Sequence, residues 1–125
     1  MNVFVVITYS EIFSNQIVDY FKSLNPINHH QFCFITAGAD NDEEVVIKNI
    51  NSKLEEIRNL ENVVVFSDAG IPAKMARRIK IKKEGVEIIR SQGSLIENGY
   101  LTFLVLNTRA PIEVVKDIIN KQIEK

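Results

Sequence analysis

The sequence predicts an α/β domain: a three-layer, doubly wound fold built on a mainly parallel sheet of four strands. Three observations lead there. Short, mostly apolar runs recur at 3–7, 32–35, 63–66 and 86–89, the first of them continuous and largely β-branched, and such a run suits a strand buried on both faces of a parallel sheet. Segments with apolar residues at helical spacing separate them. The resulting order, β-α-β-α-β-α-β-α-α, calls for right-handed crossovers with helices on both faces.

Each element has its own signal. Val3-Phe-Val-Val-Ile7 is the first strand, and Thr8-Tyr9-Ser10 a polar turn after it. Phe13, Ile17, Tyr20, Phe21 and Leu24 then share one helical face over 11–24, with Ser10 placed to cap it. Asn25-Pro26 ends that helix. Phe32–Ile35 is the second strand and Ala37–Asn41 a loop. Ile47, Ile50, Leu54 and Ile57 form the next helical face, with Asp42, Glu43 and Glu44 near its positive end. Residues 63–66 make the third strand, Ser67–Pro72 a turn into a short helix, and Val86–Ile89 the fourth strand. Ser91–Ser94 is a turn. Residues 95–106 fit a strand by composition and a helix by the spacing of Ile96, Tyr100, Phe103 and Leu104; the helical reading is preferred. A last helix follows Pro111, with Ile112, Val115, Ile118, Ile119 and Ile123 on one side.

Composition narrows the function classes. The chain has 125 residues, 46% hydrophobic and 25% charged, the balance of a single globular domain spanning 1–125. A net charge of -1 gives no electrostatic reason to bind nucleic acid or an anionic membrane. One cysteine, Cys33, supports neither an internal disulfide nor a multi-cysteine metal site, which suits a reducing cytoplasm. No signal-peptide pattern and no membrane-length apolar run is visible. The sequence has no Walker motif, no dinucleotide glycine fingerprint, no nucleophile elbow and no His/Cys cluster, so neither metal nor cofactor is expected.

In open α/β sheets, sites form beyond the carboxyl ends of the strands, near the point where strand order reverses. Four loops fall there: Thr8–Ser10, Ala37–Asn41, Ser67–Pro72 and Ser91–Ser94. Each leads toward a helix N-terminus, where free N–H groups favour an anion. All four are rich in Ser, Thr, Gly or Asp, residues that turns also require.

At these loops the chain resembles the mannose-type IIA domains of the sugar phosphotransferase system, and most closely the DhaM subunits of dihydroxyacetone kinase. The likeness is carried by Val3-Phe-Val-Val-Ile-Thr-Tyr-Ser10, Ala37-Gly-Ala-Asp40, Val63-Val-Val-Phe-Ser-Asp-Ala-Gly70 and Gln92-Gly-Ser-Leu-Ile-Glu-Asn-Gly99. It spans nearly the whole chain in order and spacing. It implies a cytoplasmic homodimer that takes phosphate from an HPr-like carrier and passes it to ADP on a DhaL-like kinase subunit, a phosphotransferase role. Tyr9 stands where the family has its phospho-accepting histidine. Asp68 stands where an aspartate orients that histidine. Thr8, Ser10, Gly38, Asp40, Gly70 and Ser94 correspond to the phosphate and partner rim. The departures are Tyr9 itself, Ile71 in place of a serine, Gln92 in place of a proline, and no Gly-Thr near Glu43. Relay chemistry favours histidine, whose ring is nucleophilic near neutral pH, whereas a phenol has a pKa of about 10.

Three readings of Tyr9 therefore stand: a strand-end aromatic covering the rim, a degenerate site that still binds a partner or a small anion, and a phospho-accepting tyrosine. For Asp68 an N-cap or turn role is preferred to a catalytic one, since no histidine stands at position 9 for it to orient. His29 and His30 lie before the second strand, at the end of the sheet away from the rim. Lys74, Arg77, Arg78, Lys80, Lys82 and Lys83 make the third helix basic, either as a solvated face or as a dock for an acidic partner. The stretch Leu101–Leu106 and the last helix supply core or dimer interface.

Overall fold

The computed structural model describes residues 1–24 and 32–91. They form β1 (Asn2–Thr8), α1 (Glu11–Leu24), β2 (Phe32–Gly38), α2 (Glu43–Glu56), β3 (Asn62–Ser67), α3 (Ile71–Ala76) and β4 (Glu87–Ser91). The four strands make one sheet in the order β2-β1-β3-β4, and all three pairings are parallel. The α/β, three-layer arrangement is the one the alternating pattern predicts. His29, His30, Ser94, the 95–106 segment and the final helix lie outside the described residues.

The pleat of β1 explains the layers. Val3, Val5 and Ile7 point to one face and join Ile47, Ile50 and Leu54 of α2 and Met75 and Ala76 of α3 in the larger core. Phe4, Val6 and Thr8 point to the other, where α1 buries Ser14, Ile17, Val18 and Phe21. Phe4 stacks between Phe34 and Phe66, with ring centroids 5.6 and 5.7 Å away. Such pairs add about 0.5–1.5 kcal/mol each beyond area burial, so Phe4 ties three strands together on the α1 face. A strand buried on both faces needs apolar residues at every position, which is why β1 and β3 read as unbroken runs.

Several boundaries differ from expectation, for reasons of pairing. β2 continues through Ala37 and Gly38 because they lie in register with Ile7 and Thr8. β4 begins at Glu87 and extends to Ser91, in register with Asn62–Phe66. Ile57 is the C-cap of α2, half-buried against the core. Cys33 is half-buried. The largest change concerns the basic segment: α3 ends at Ala76, so Lys80, Lys82 and Lys83 are not helical. The N–H of Lys80 donates to Asn51 Oδ1 (3.2 Å) and that of Lys82 to Glu55 Oε1 (2.9 Å), while Lys83 Nζ donates to the Ile57 carbonyl. Side chains of α2 thus take backbone donors that would otherwise continue α3, and the chain runs along α2 instead.

Candidate functional site

From β1 the chain moves to one side to build β2, then returns past β1 to build β3 and β4. The direction reverses between β1 and β3, so the carboxyl ends of those two strands flank the switch crevice. The crevice is therefore bounded by Thr8-Tyr9-Ser10 after β1 and by Asp68-Ala69-Gly70 after β3.

The β1–α1 corner is held by a buried hydroxyl pair. Ser14 Oγ accepts from the Thr8 N–H (3.1 Å), lies 2.8 Å from Thr8 Oγ1, and donates to the Ala37 carbonyl (2.7 Å). Thr8 Oγ1 donates to the Ser10 carbonyl (2.6 Å). Ser10 caps α1: its Oγ accepts from the Phe13 N–H and its carbonyl from the Ser14 N–H. Both hydroxyls of the pair are buried and both are satisfied. The end of β1 is also tied to its neighbours, since the Thr8 carbonyl accepts from the Ala39 N–H and the Ile7 carbonyl from the Asp68 N–H.

Asp40 closes the N-terminus of α1. Its Oδ1 accepts from the Glu11 N–H (3.1 Å), and Asn41 Nδ2 donates to Glu11 Oε2 (3.2 Å). Gly38 permits this, because a Cβ there would collide with the Glu11 backbone and with Asp40. The carboxylate lies where an anion would lie at a free helix end. At α2 the same job falls to Asp42, whose side chain accepts from the Val45 N–H.

Tyr9 spans the crevice. Its hydroxyl donates to the Ala69 carbonyl at 2.9 Å, and the ring end lies against Gly70, where a Cβ would strike Tyr9 Oη. Gly70 sits at φ +84°, in the region that favours glycine, and caps α3 with no side-chain bond. Asp68 is thus not the N-cap of α3; it lies half-buried between β3 and the turn, placed by its backbone bond to Ile7.

The site residues named from the sequence divide accordingly. Thr8, Tyr9, Ser10, Gly38, Asp40, Asp68 and Gly70 gather at the carboxyl end of the sheet, and Ser94 lies outside the described residues. Sequence reasoning missed Ser14 and Glu11. Ser14 had a signal: a hydroxyl set among the inward positions Ile17, Val18 and Phe21 must find partners when buried. Glu11 had none, because its partners come from 29 and 30 positions away.

The crevice edge is acidic and apolar. Glu11, Asp40 and Asp68 supply carboxylates, and Tyr9, Ile12, Phe13 and Ile71 are large apolar side chains left exposed, Tyr9 at 52% and Ile12 at 69%. Among the described residues no group of three or more His, Cys, Asp or Glu could hold a metal ion, and no helix is long and apolar enough to cross a membrane. The fold and crevice define a doubly wound α/β domain whose switch point is bridged by a phenol. Neither a protein-family model nor a curated protein matches the chain.

Proposed function

We propose that the chain is a non-catalytic, partner-binding homologue of the DhaM lineage, working in the cytoplasm as a homodimer and docking on a DhaL-like kinase subunit through its crevice edge. One observation carries this reading: the Tyr9 hydroxyl, at the position of the expected phospho-accepting histidine, is engaged by the Ala69 carbonyl across the switch crevice. A phenol is a poorer phosphate relay than imidazole near neutral pH, and among the described residues no base is bonded to this one. The Asp40 carboxylate already satisfies Glu11 N–H at the α1 end, and the surrounding carboxylates repel a phosphate. Tyr9, Ile12, Phe13 and Ile71 are large apolar side chains left exposed at the α1 and α3 N-termini, and exposed apolar surface of this kind favours docking.

The competing reading from the same resemblance is relay of phosphate from an HPr-like carrier through Tyr9. Incubation with phosphoenolpyruvate, enzyme I and HPr, followed by intact mass, separates the two. The expected result is no added phosphate, and an acid-labile adduct would overturn the proposal. Sedimentation with a DhaL-like subunit is expected to give a complex that Ile12→Ser with Phe13→Ser abolishes. Absence of any complex would sink the docking reading. Tyr9→His measures how far the rim has diverged: if it takes up acid-labile phosphate, one residue separates this chain from a carrier.

A further inference from the structure

A second concave site lies away from the crevice, between α2 and the irregular stretch after α3. It is a groove of about 640 Å³ lined by Lys48, Asn51, Ser52, Glu55, Lys80 and Lys82. That volume lies within the range of small-molecule sites, roughly 300–1,000 Å³. Lys48, Asn51, Ser52 and Glu55 stand on one side of α2 at helical spacing. Lys80 and Lys82 are brought to the opposite wall by the two backbone bonds to Asn51 and Glu55.

The polar groups of this groove are unbalanced in one direction. Asn51 Oδ1 accepts from Lys80, which fixes the amide and leaves Nδ2 as a donor. Ser52 is exposed. The Lys48, Lys80 and Lys82 ammonium groups are in none of the ion pairs among the described residues, whose side-chain pairs are confined to Arg78 with Glu43 and Glu44. The single carboxylate, Glu55, already accepts from the Lys82 N–H. Three cations thus face one anion, with an amide and a hydroxyl beside them and lysine methylene stems as apolar walls. Donors in excess, positive charge in excess and nucleotide-scale volume together select a small ligand carrying several negative charges.

We propose that this groove binds a polyphosphorylated small molecule of nucleotide size, with Lys48, Lys80 and Lys82 on the phosphates and Asn51 and Ser52 as neutral donors. No chemistry on the ligand is implied. The proposal is independent of the docking reading, because it uses none of the crevice residues.

Calorimetric titration of the full chain with ATP, tripolyphosphate and adenosine, in buffer without divalent metal, tests it. ATP and tripolyphosphate are expected to bind and compete with each other, and adenosine alone to bind at least tenfold more weakly. Lys80→Ala with Lys82→Ala is expected to weaken both anions at least tenfold, while Arg58→Ala and Lys74→Ala, which remove the same charge elsewhere, leave affinity within twofold. The Asn51 side-chain amide resonance is expected to shift on saturation. No binding at about 1 mM ligand, or an equal loss in the groove and control variants, would overturn the proposal; the second outcome would mean general electrostatic attraction. All four substituted residues are exposed, so the fold is retained, and a melting curve of each variant checks it.

Discussion

The crevice at the carboxyl end of the sheet and the lysine groove on α2 differ in what their polar groups do. In the crevice the donors and acceptors answer one another: Ser14 with Thr8 and Ala37, Asp40 with Glu11, Tyr9 with Ala69. In the groove Asn51 and Glu55 position the backbone, and among the described residues the lysine ammonium groups are in no ion pair. A fold's usual site can therefore be built into the structure, while binding capacity collects where the chain is irregular. Polar side chains near a switch point are not in themselves a site; whether they are free decides.

The comparison can be broken by substitution, because crevice residues should govern stability and the groove lysines should not. The largest effect is expected at Gly38. A methyl group there meets the Glu11 backbone and Asp40, and Gly38→Ala should cost about 3 kcal/mol in denaturant unfolding. A loss below the error of extrapolation would mean the β2–α1 approach is loose. Next comes Ser14→Ala, which strips the buried Thr8 N–H and Ala37 carbonyl of a partner; about 1–3 kcal/mol should be lost. Ser14→Cys should retain part of that, since sulfur is a weaker donor and acceptor.

Smaller effects sharpen the contrast. Lys80→Ala with Lys82→Ala should leave stability within about 0.5 kcal/mol, as exposed substitutions usually do; a large loss would show that the groove lysines are structural after all. The smallest effect concerns Glu44. Hydrogen bonding and Coulomb attraction from Arg78 hold its carboxyl below the usual carboxylate range. A group with a lowered folded-state pKa contributes stability above its unfolded value and loses it as pH falls through the folded one. Wild type and Arg78→Ala should thus differ slightly in melting temperature at neutral pH and converge in acid. Because the pair is exposed, salt should erase the difference too. A gap that widens on acidification would contradict the ion-pair account.

Legibility followed the range of the interaction. The four strands, the Ser10 cap, the inward face of α2 and the placing of Thr8, Tyr9, Gly38 and Asp68 at one end of the sheet were readable, because each depends on a few consecutive residues. The end of the basic helix was not. Nothing between residues 74 and 83 announces that Asn51 and Glu55 will take the N–H groups of Lys80 and Lys82.

By itself, then, the sequence determined the α/β alternation and the elements, through hydrophobic periodicity that needs no partner to be seen. Only the tertiary structure decided the strand order, the bond from Tyr9 to Ala69 across 60 positions, the seating of Asp40 on α1 and the groove between α2 and the lysines. Those features are meetings of distant segments. Local propensity assigns the parts, and the packing of a sheet buried on both faces sets which parts meet.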